Sequence, residues 1–236
     1  MEQKEELNQK LVVKEGKTGK GEIKTFKYET LNDLNKNAIC KIELNNRHGT
    51  GFFCKIPSPQ NKNDKIKVLF TCYHVLFDDK NDNNYQIVEI FYHIENQGKK
   101  ALNLNNRKTW SDKDLDYMCI EILEEDNIHD YLNIDENMIQ DNYPLNELKK
   151  KAIYIFNSKL EFCYGNLLIL NKNIYYDSET KNGWSGAPIF IKNENNVIAI
   201  HQGFNYPYNT GILIRSILKH MNNEKENIPN LTKNEG

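Results

Sequence analysis

Asn182-Gly183-Trp184-Ser185-Gly186-Ala187-Pro188 is the stretch on which the fold and the function turn. It lies between two short runs of β-forming residues, Ile174–Tyr176 and Pro188–Ile191, so it reads as a tight turn rather than part of a helix. A nucleophilic serine needs such a turn, because main-chain N–H groups must converge on the oxyanion of the transition state. Glycines on either side permit that backbone. A Gly-rich hairpin with an incidental serine looks the same, so the rest of the chain must decide.

Moving outward, Phe70-Thr71-Cys72-Tyr73-His74-Val75-Leu76 places a histidine just after an apolar strand, where a short helical turn can present the imidazole at a barrel edge. Asp114-Leu115-Asp116-Tyr117-Met118-Cys119-Ile120-Glu121-Ile122 places an acid at the head of another strand. Either segment alone is as readily structural. Taken with Ser185 they give the chain order His74, Asp116, Ser185, one of the orders in which serine triads occur. An α/β-hydrolase requires serine, then acid, then histidine; here no Asp follows Asp177, and Ala187 stands where the second glycine of G-x-S-x-G belongs.

The wider pattern is all-β. Short runs rich in Ile, Val, Phe and Tyr, bounded by Asn, Asp, Gly or Lys, predict strands at Ala38–Leu44, Gly49–Ile56, Ile66–Thr71, Gln86–Ile94 and Tyr117–Leu123. A second series covers Ala152–Phe156, Leu160–Leu170, Ile174–Tyr176, Pro188–Ile191, Val197–Gln202 and Gly211–Ile214. Apolar residues at 214, 217, 218 and 221 then have helical spacing. This predicts two packed six-stranded antiparallel β-barrels with a C-terminal helix. The expected divisions are a polar arm over 1–34, a first barrel over 35–123, a connection over 124–143, a second barrel with its helix over 144–222, and a polar tail over 223–236.

Composition narrows the function classes. The 236 residues carry 31 Lys+Arg against 33 Asp+Glu, a net charge of −2, without the basic excess of a nucleic-acid binder. No window approaches about 18 apolar residues, which predicts no membrane span. The start, Met-Glu-Gln-Lys-Glu-Glu, has no signal-like apolar core, so a cytoplasmic location is expected. Cys40, Cys54, Cys72, Cys119 and Cys163 are odd in number and contain no C-x-x-C pair, so they read as buried small hydrophobes rather than disulfides or zinc ligands, and no metal or cofactor is expected. The abundance of Asn, and the restriction of Arg to Arg47, Arg107 and Arg215, reads as compositional bias.

From about Asn37 to Met221 the sequence resembles the chymotrypsin-like serine peptidases, most closely their glutamyl-endopeptidase branch. The resemblance rests on Gly49-Thr50-Gly51-Phe52-Phe53, Thr71-Cys72-Tyr73-His74-Val75, Asp116 at its strand, Tyr176-Asp177, Gly183-Trp184-Ser185-Gly186-Ala187-Pro188, Val197-Ile198-Ala199-Ile200-His201-Gln202-Gly203, and Gly211–Ile214 leading into a helix. It implies Ser185 as nucleophile, His74 as general base and acid, and Asp116 as the residue that orients the imidazole, with Asp114 its rival. It also implies an oxyanion hole formed by the N–H groups of Gly183 and Ser185. Thr180 and His201 match the positions that bind a substrate carboxylate in that branch, which implies cleavage after Glu or Asp; Glu179 nearby argues for a basic side chain instead. Gln202 and Gly203 begin a strand, Gln202–Phe204, suited to pair with an extended substrate. Trp184 stands where many secreted relatives carry the acid of a zymogen switch, so that switch is absent. The arm over 1–34 is expected to keep the enzyme latent or to dock a partner or substrate. Two readings from other classes stay open: a catalytically silent binding module of the same fold, and an interaction protein in which the arm does the work.

Overall fold

The computed structural model describes residues 23–24, 37–44, 47–61, 63–77, 89–94, 98–105, 107–140, 142–159, 161–170, 173–192 and 194–223. Of the N-terminal arm, only Ile23–Lys24 (β1) is among them; the rest of the arm, and the tail from 224, lie outside the described residues.

The first sheet comprises β2 (Ile39–Leu44), β3 (Arg47–Pro57), β4 (Lys65–Thr71), β5 (Glu89–Ile94), β6 (Gly98–Asn103), β7 (Thr109–Asp112) and β8 (Tyr117–Glu121). The strands run antiparallel in the order β6-β5-β2-β3-β4-β8-β7. Central β3 is buried without a break from Gly49 to Cys54, whereas β5 alternates, with Ile90, Tyr92 and Ile94 inward. The sheet therefore has seven strands. Among the described residues no ladder joins its end strands β6 and β7. Arg107, between those two strands, is buried and holds that corner: its guanidinium forks onto Asp126 at 2.7 and 3.0 Å and donates to the Glu121 carbonyl at 2.8 Å.

The connecting segment contains β9 (Asn133–Ile134), which runs parallel to a strand of the second sheet. That sheet is built from β10 (Ala152–Phe156), β11 (Phe162–Leu170), β12 (Asn173–Tyr176), β13 (Pro188–Ile191), β14 (Asn196–Asn205) and β15 (Tyr208–Leu213). Pairings run β11-β10-β13-β14-β15-β12 and return to β11, closing a six-stranded antiparallel barrel as the sequence predicts. β1 adds to β11, with Ile23 opposite Cys163.

Short helices α1 (Tyr73–Leu76) and α2 (Glu136–Ile139) lie in loops, and α3 (Ile214–Asn223) ends the fold with Ile214, Ile217, Leu218 and Met221 buried, the spacing the sequence shows. Ile155, Leu167, Trp184, Ile189 and Leu213 fill the closed barrel. A larger cluster joins Phe52, Phe70 and Ile120 of the first sheet to Phe190, Ile200 and Ile212 of the second, together with α3, so one apolar core spans both halves. Among the described residues no helix is long and apolar enough to cross a membrane.

Candidate active site

His74 and Asp116 come from adjacent pieces of the first sheet. His74 lies on α1, directly after β4, and Asp116 is the last residue of the loop between β7 and β8. Asp112 and Tyr117 face each other as the closing pair of that hairpin, and Asp116 N–H donates to the Lys113 carbonyl at 3.2 Å. The loop then needs a left-handed residue, and Asp116 supplies it at φ 48°, a conformation Asp tolerates better than most side chains. The Asp116 carboxylate accepts the His74 main-chain N–H at 3.0 Å and lies 3.0 and 2.8 Å from His74 Nδ1. A carboxylate only accepts, so Nδ1 carries the proton and a neutral His74 presents Nε2 as a lone pair. With its side chain 48% exposed, His74 can be reached from solvent. Asp114 is exposed, and no bond ties it to His74.

The Ser185 turn is set by backbone contacts. Gly183 and Gly186 adopt φ 91° and 90°, the region L side chains avoid. A Cβ on Gly186 would lie 1.9 Å from the Thr50 carbonyl oxygen; one on Gly49 would meet Val75 at 2.6 Å and the Ser185 carbonyl at 2.9 Å. The residue after His74 and the Ser185 backbone thus both close on Gly49. Buried Thr50 clamps the turn twice, its N–H donating to the Ser185 carbonyl and its hydroxyl to the Gly183 carbonyl, each at 2.8 Å. This explains Gly49-Thr50-Gly51 physically: small residues let β3 approach, and the hydroxyl anchors the turn. Gly186 N–H donates to His201 and Ala187 N–H to Trp184, but among the described residues the N–H groups of Gly183 and Ser185 have no partner, and both residues are half-buried. Trp184 is 1% exposed and belongs to the barrel core.

Gln202 joins the two halves. The β14–β15 register slips between His201 and Gly203, leaving Gln202 as a bulge residue. Its carbonyl accepts Ser185 Oγ–H at 3.0 Å, while its Nε2 donates to the Leu115 carbonyl, one residue before Asp116, at 2.7 Å. The Ser185 hydroxyl is therefore turned to Gln202 and not to His74. The side chain of Gln202 is committed to the acid loop, a role the sequence does not reveal. Thr180 donates to Asn209 Oδ1 at 2.7 Å. His201 is buried, with Nδ1 2.5 Å from the Tyr176 hydroxyl, which is also 3.0 Å from the Thr210 carbonyl. Burial, and then the nearby His74, pull the His201 pKa down to about 3, so its ring is neutral at physiological pH. Thr180 and His201 thus reach neighbouring residues of β15. Glu179 is exposed.

One group of potential metal ligands occurs among the described residues: Cys72, His74 and Asp116 offer donor atoms within 4.8 Å of one another. Cys72 is fully buried and donates Sγ–H to the His201 carbonyl at 3.2 Å; burial, then the charge of Asp116, keep its thiol protonated. A protonated thiol is a poor ligand, and the other two residues already satisfy each other.

No protein-family model matches the sequence, and no curated protein matches it either. Solved structures do. The serine protease of a human pathogenic astrovirus superposes with a TM-score of 0.50 at 18% identity, over 76% of this chain and 90% of that one. Deg5 gives 0.55 at 15% identity, over 79% and 88%. This is a chymotrypsin-like fold. A Glu endopeptidase shares the chymotrypsin-like fold as well, with a TM-score of 0.54 at 14% identity over 79% of this chain and 88% of that one. At these identities the chymotrypsin-like architecture is what is held in common.

Proposed function

We propose that this chain is a serine endopeptidase that cleaves protein or peptide substrates through an acyl-enzyme. The observation that carries the reading is the His74–Asp116 pair, with the carboxylate holding both the Nδ1–H and the main-chain N–H; Gln202 supports it, its carbonyl accepting the Ser185 hydroxyl and its amide reaching the loop that ends in Asp116. In the reaction Ser185 Oγ rotates from Gln202 to His74, attacks the substrate carbonyl and gives its proton to Nε2. Asp116 stabilises the imidazolium without being protonated. The free N–H groups of Gly183 and Ser185 hold the oxyanion, each contributing about 3–4 kcal/mol in the transition state. His74 then protonates the leaving amine, and water releases the acyl group by the reverse path. The five described cysteines are all buried and free, which suits a reducing compartment such as the cytoplasm.

On this reading an acidic side chain before the cleaved bond meets the Thr180 hydroxyl and the His201 ring. Because His201 is neutral and bonded to Tyr176, and the Thr180 hydroxyl donates to Asn209, this recognition requires both groups to turn a donor from those partners to the incoming carboxylate. The silent-module alternative draws on one observation, the Ser185 hydroxyl bound to Gln202 instead of His74. On the peptidase reading that hydroxyl leaves the Gln202 carbonyl for His74 Nε2.

The test is digestion of a peptide library, with cleavage sites mapped by mass spectrometry, for the parent and Ser185→Ala. Cleavage by the parent alone, clustered after Glu and Asp, is expected. Cleavage without regard to acidic residues rejects the Thr180/His201 pocket, and no cleavage by either protein supports the silent module.

A further inference from the structure

The hairpin that carries Asp116 is closed by Asp112 and Tyr117, and one residue of the C-terminal helix touches both. His220 Nε2 lies 3.2 Å from Asp112 Oδ2, and its Nδ1 lies 2.9 Å from the Tyr117 hydroxyl. The two rings meet edge to face with centroids 5.8 Å apart. One neutral tautomer satisfies the set: Nε2–H donates to the carboxylate and Nδ1 accepts from the phenol.

The other oxygen of Asp112 continues the chain of contacts. Oδ1 accepts the Leu115 N–H at 2.6 Å, and the Leu115 carbonyl accepts Gln202 Nε2–H at 2.7 Å. The residue before Asp116 is therefore gripped on both polar groups, once through Asp112 and once through Gln202. Asp116 itself holds a left-handed φ of 48°, which a loosened loop would abandon for a commoner conformation. That conformation aims its carboxylate at His74.

We propose that His220 is a positioning residue for the His74–Asp116 pair: by orienting the Asp112 carboxylate against Tyr117 it fixes the 113–116 loop, so the end of the C-terminal helix sets the alignment of the general base. The inference rests on the reading of His74 as that base, but its structural half can be measured without any enzyme activity. The position is partly exposed, with 26% of the His220 side chain open, so substitutions there leave the apolar face of α3 intact.

The experiment compares the full chain with His220→Phe, which keeps the ring packing on Tyr117 but not the hydrogen bonds, and His220→Gln, which keeps a donor near the Nε2 position. The first readout is the proton resonance of His74 Nδ1–H in protein labelled at histidine nitrogen. The second is the split between kcat and KM on a cleaved peptide. His220→Phe is expected to broaden the resonance or move it upfield and to lower kcat about tenfold with KM unchanged, a loss in the range a misplaced catalytic group produces. His220→Gln is expected to restore most of both. An unchanged resonance and unchanged kcat in His220→Phe overturn the proposal, as does a Gln variant no better than Phe. A shifted resonance in His220→Phe, with a parent protein that cleaves nothing, keeps the positioning link and rejects the peptidase reading instead.

Discussion

Asp116 and Ser185 occupy loops of opposite construction. The acid loop is shaped by side chains: Asp112 and Gln202 grip Leu115, and His220 braces Asp112. The serine turn is shaped mainly by main chain and by missing side chains, with Gly183 and Gly186 at positive φ and the Thr50 backbone pressed against Gly186, and the Thr50 hydroxyl adds a clamp on the Gly183 carbonyl. Side-chain bonds can be removed one at a time, each with a graded loss; a backbone packed against backbone gives way as a unit. The acid half should therefore lose activity without losing the fold, and the serine half should lose both.

The largest expected effect separates chemistry from folding. Asp116→Asn keeps a residue that accepts a left-handed conformation but leaves His74 in the wrong tautomer, so kcat should drop about 10⁴-fold while the melting temperature hardly moves. Asp114→Asn should change kcat by less than about twofold, as expected of an exposed site; comparable losses in both variants would remove the assignment of the acid. Next comes Gly186→Ala. With a new Cβ 1.9 Å from the Thr50 oxygen the turn must move, destabilising the protein by about 3 kcal/mol or more and lowering its melting temperature by about 10 °C. Native-like melting of that variant would break the contrast between the two loops. Thr50→Val should have a smaller, mixed effect. It strips the hydroxyl from the Gly183 carbonyl, and about 1–2 kcal/mol of stability and about tenfold in kcat should go together.

The smallest effect is a pH dependence. Buried His201 titrates near 3 in the fold against 6.5 when free, so between those values the unfolded chain binds the extra proton and stability falls as pH falls. Urea unfolding should show about 1 kcal/mol lost from this group between pH 7 and about 5.5, and His201→Gln should flatten that part of the profile. An equal slope in both proteins would place the titration elsewhere.

Much of the architecture was legible because central strands announce themselves. β3, β10 and β13 are apolar on both faces, and the sequence gives them within a residue or two. Of the four strands it misses, β1 and β9 are two residues long, while β6 and β7 end the seven-stranded sheet and each buries a single residue, Leu102 or Trp110. An edge strand facing solvent carries too little apolar pattern to stand out. The reading from composition also passed over Arg107, whose buried fork on Asp126 uses a geometry Lys cannot supply; its rarity in a Lys-rich chain was the available signal.

At the site, the meeting of His74 with Asp116 was readable in the sequence, whereas the contacts that hold the two loops were not. Nothing in Gln202 foretells a bulge that sends its carbonyl to Ser185 and its amide to Leu115, because both depend on the register of β14 against β15. His220 and Asp112 lie far apart in the chain and meet only once α3 has packed on the first sheet. The Thr180/His201 pair came from resemblance, and the fold adds that both engage β15 through Asn209 and Tyr176.

The central claim is that Ser185 is a nucleophile activated by His74. It is tested most directly by treating the folded protein with a fluorophosphonate and locating the adduct by peptide mass spectrometry. The account predicts stoichiometric modification of Ser185 in the parent and its loss in His74→Ala, with Ser185 still present and the fold intact by circular dichroism. A folded parent that stays unmodified, or a His74→Ala variant labelled as fast as the parent, would contradict it.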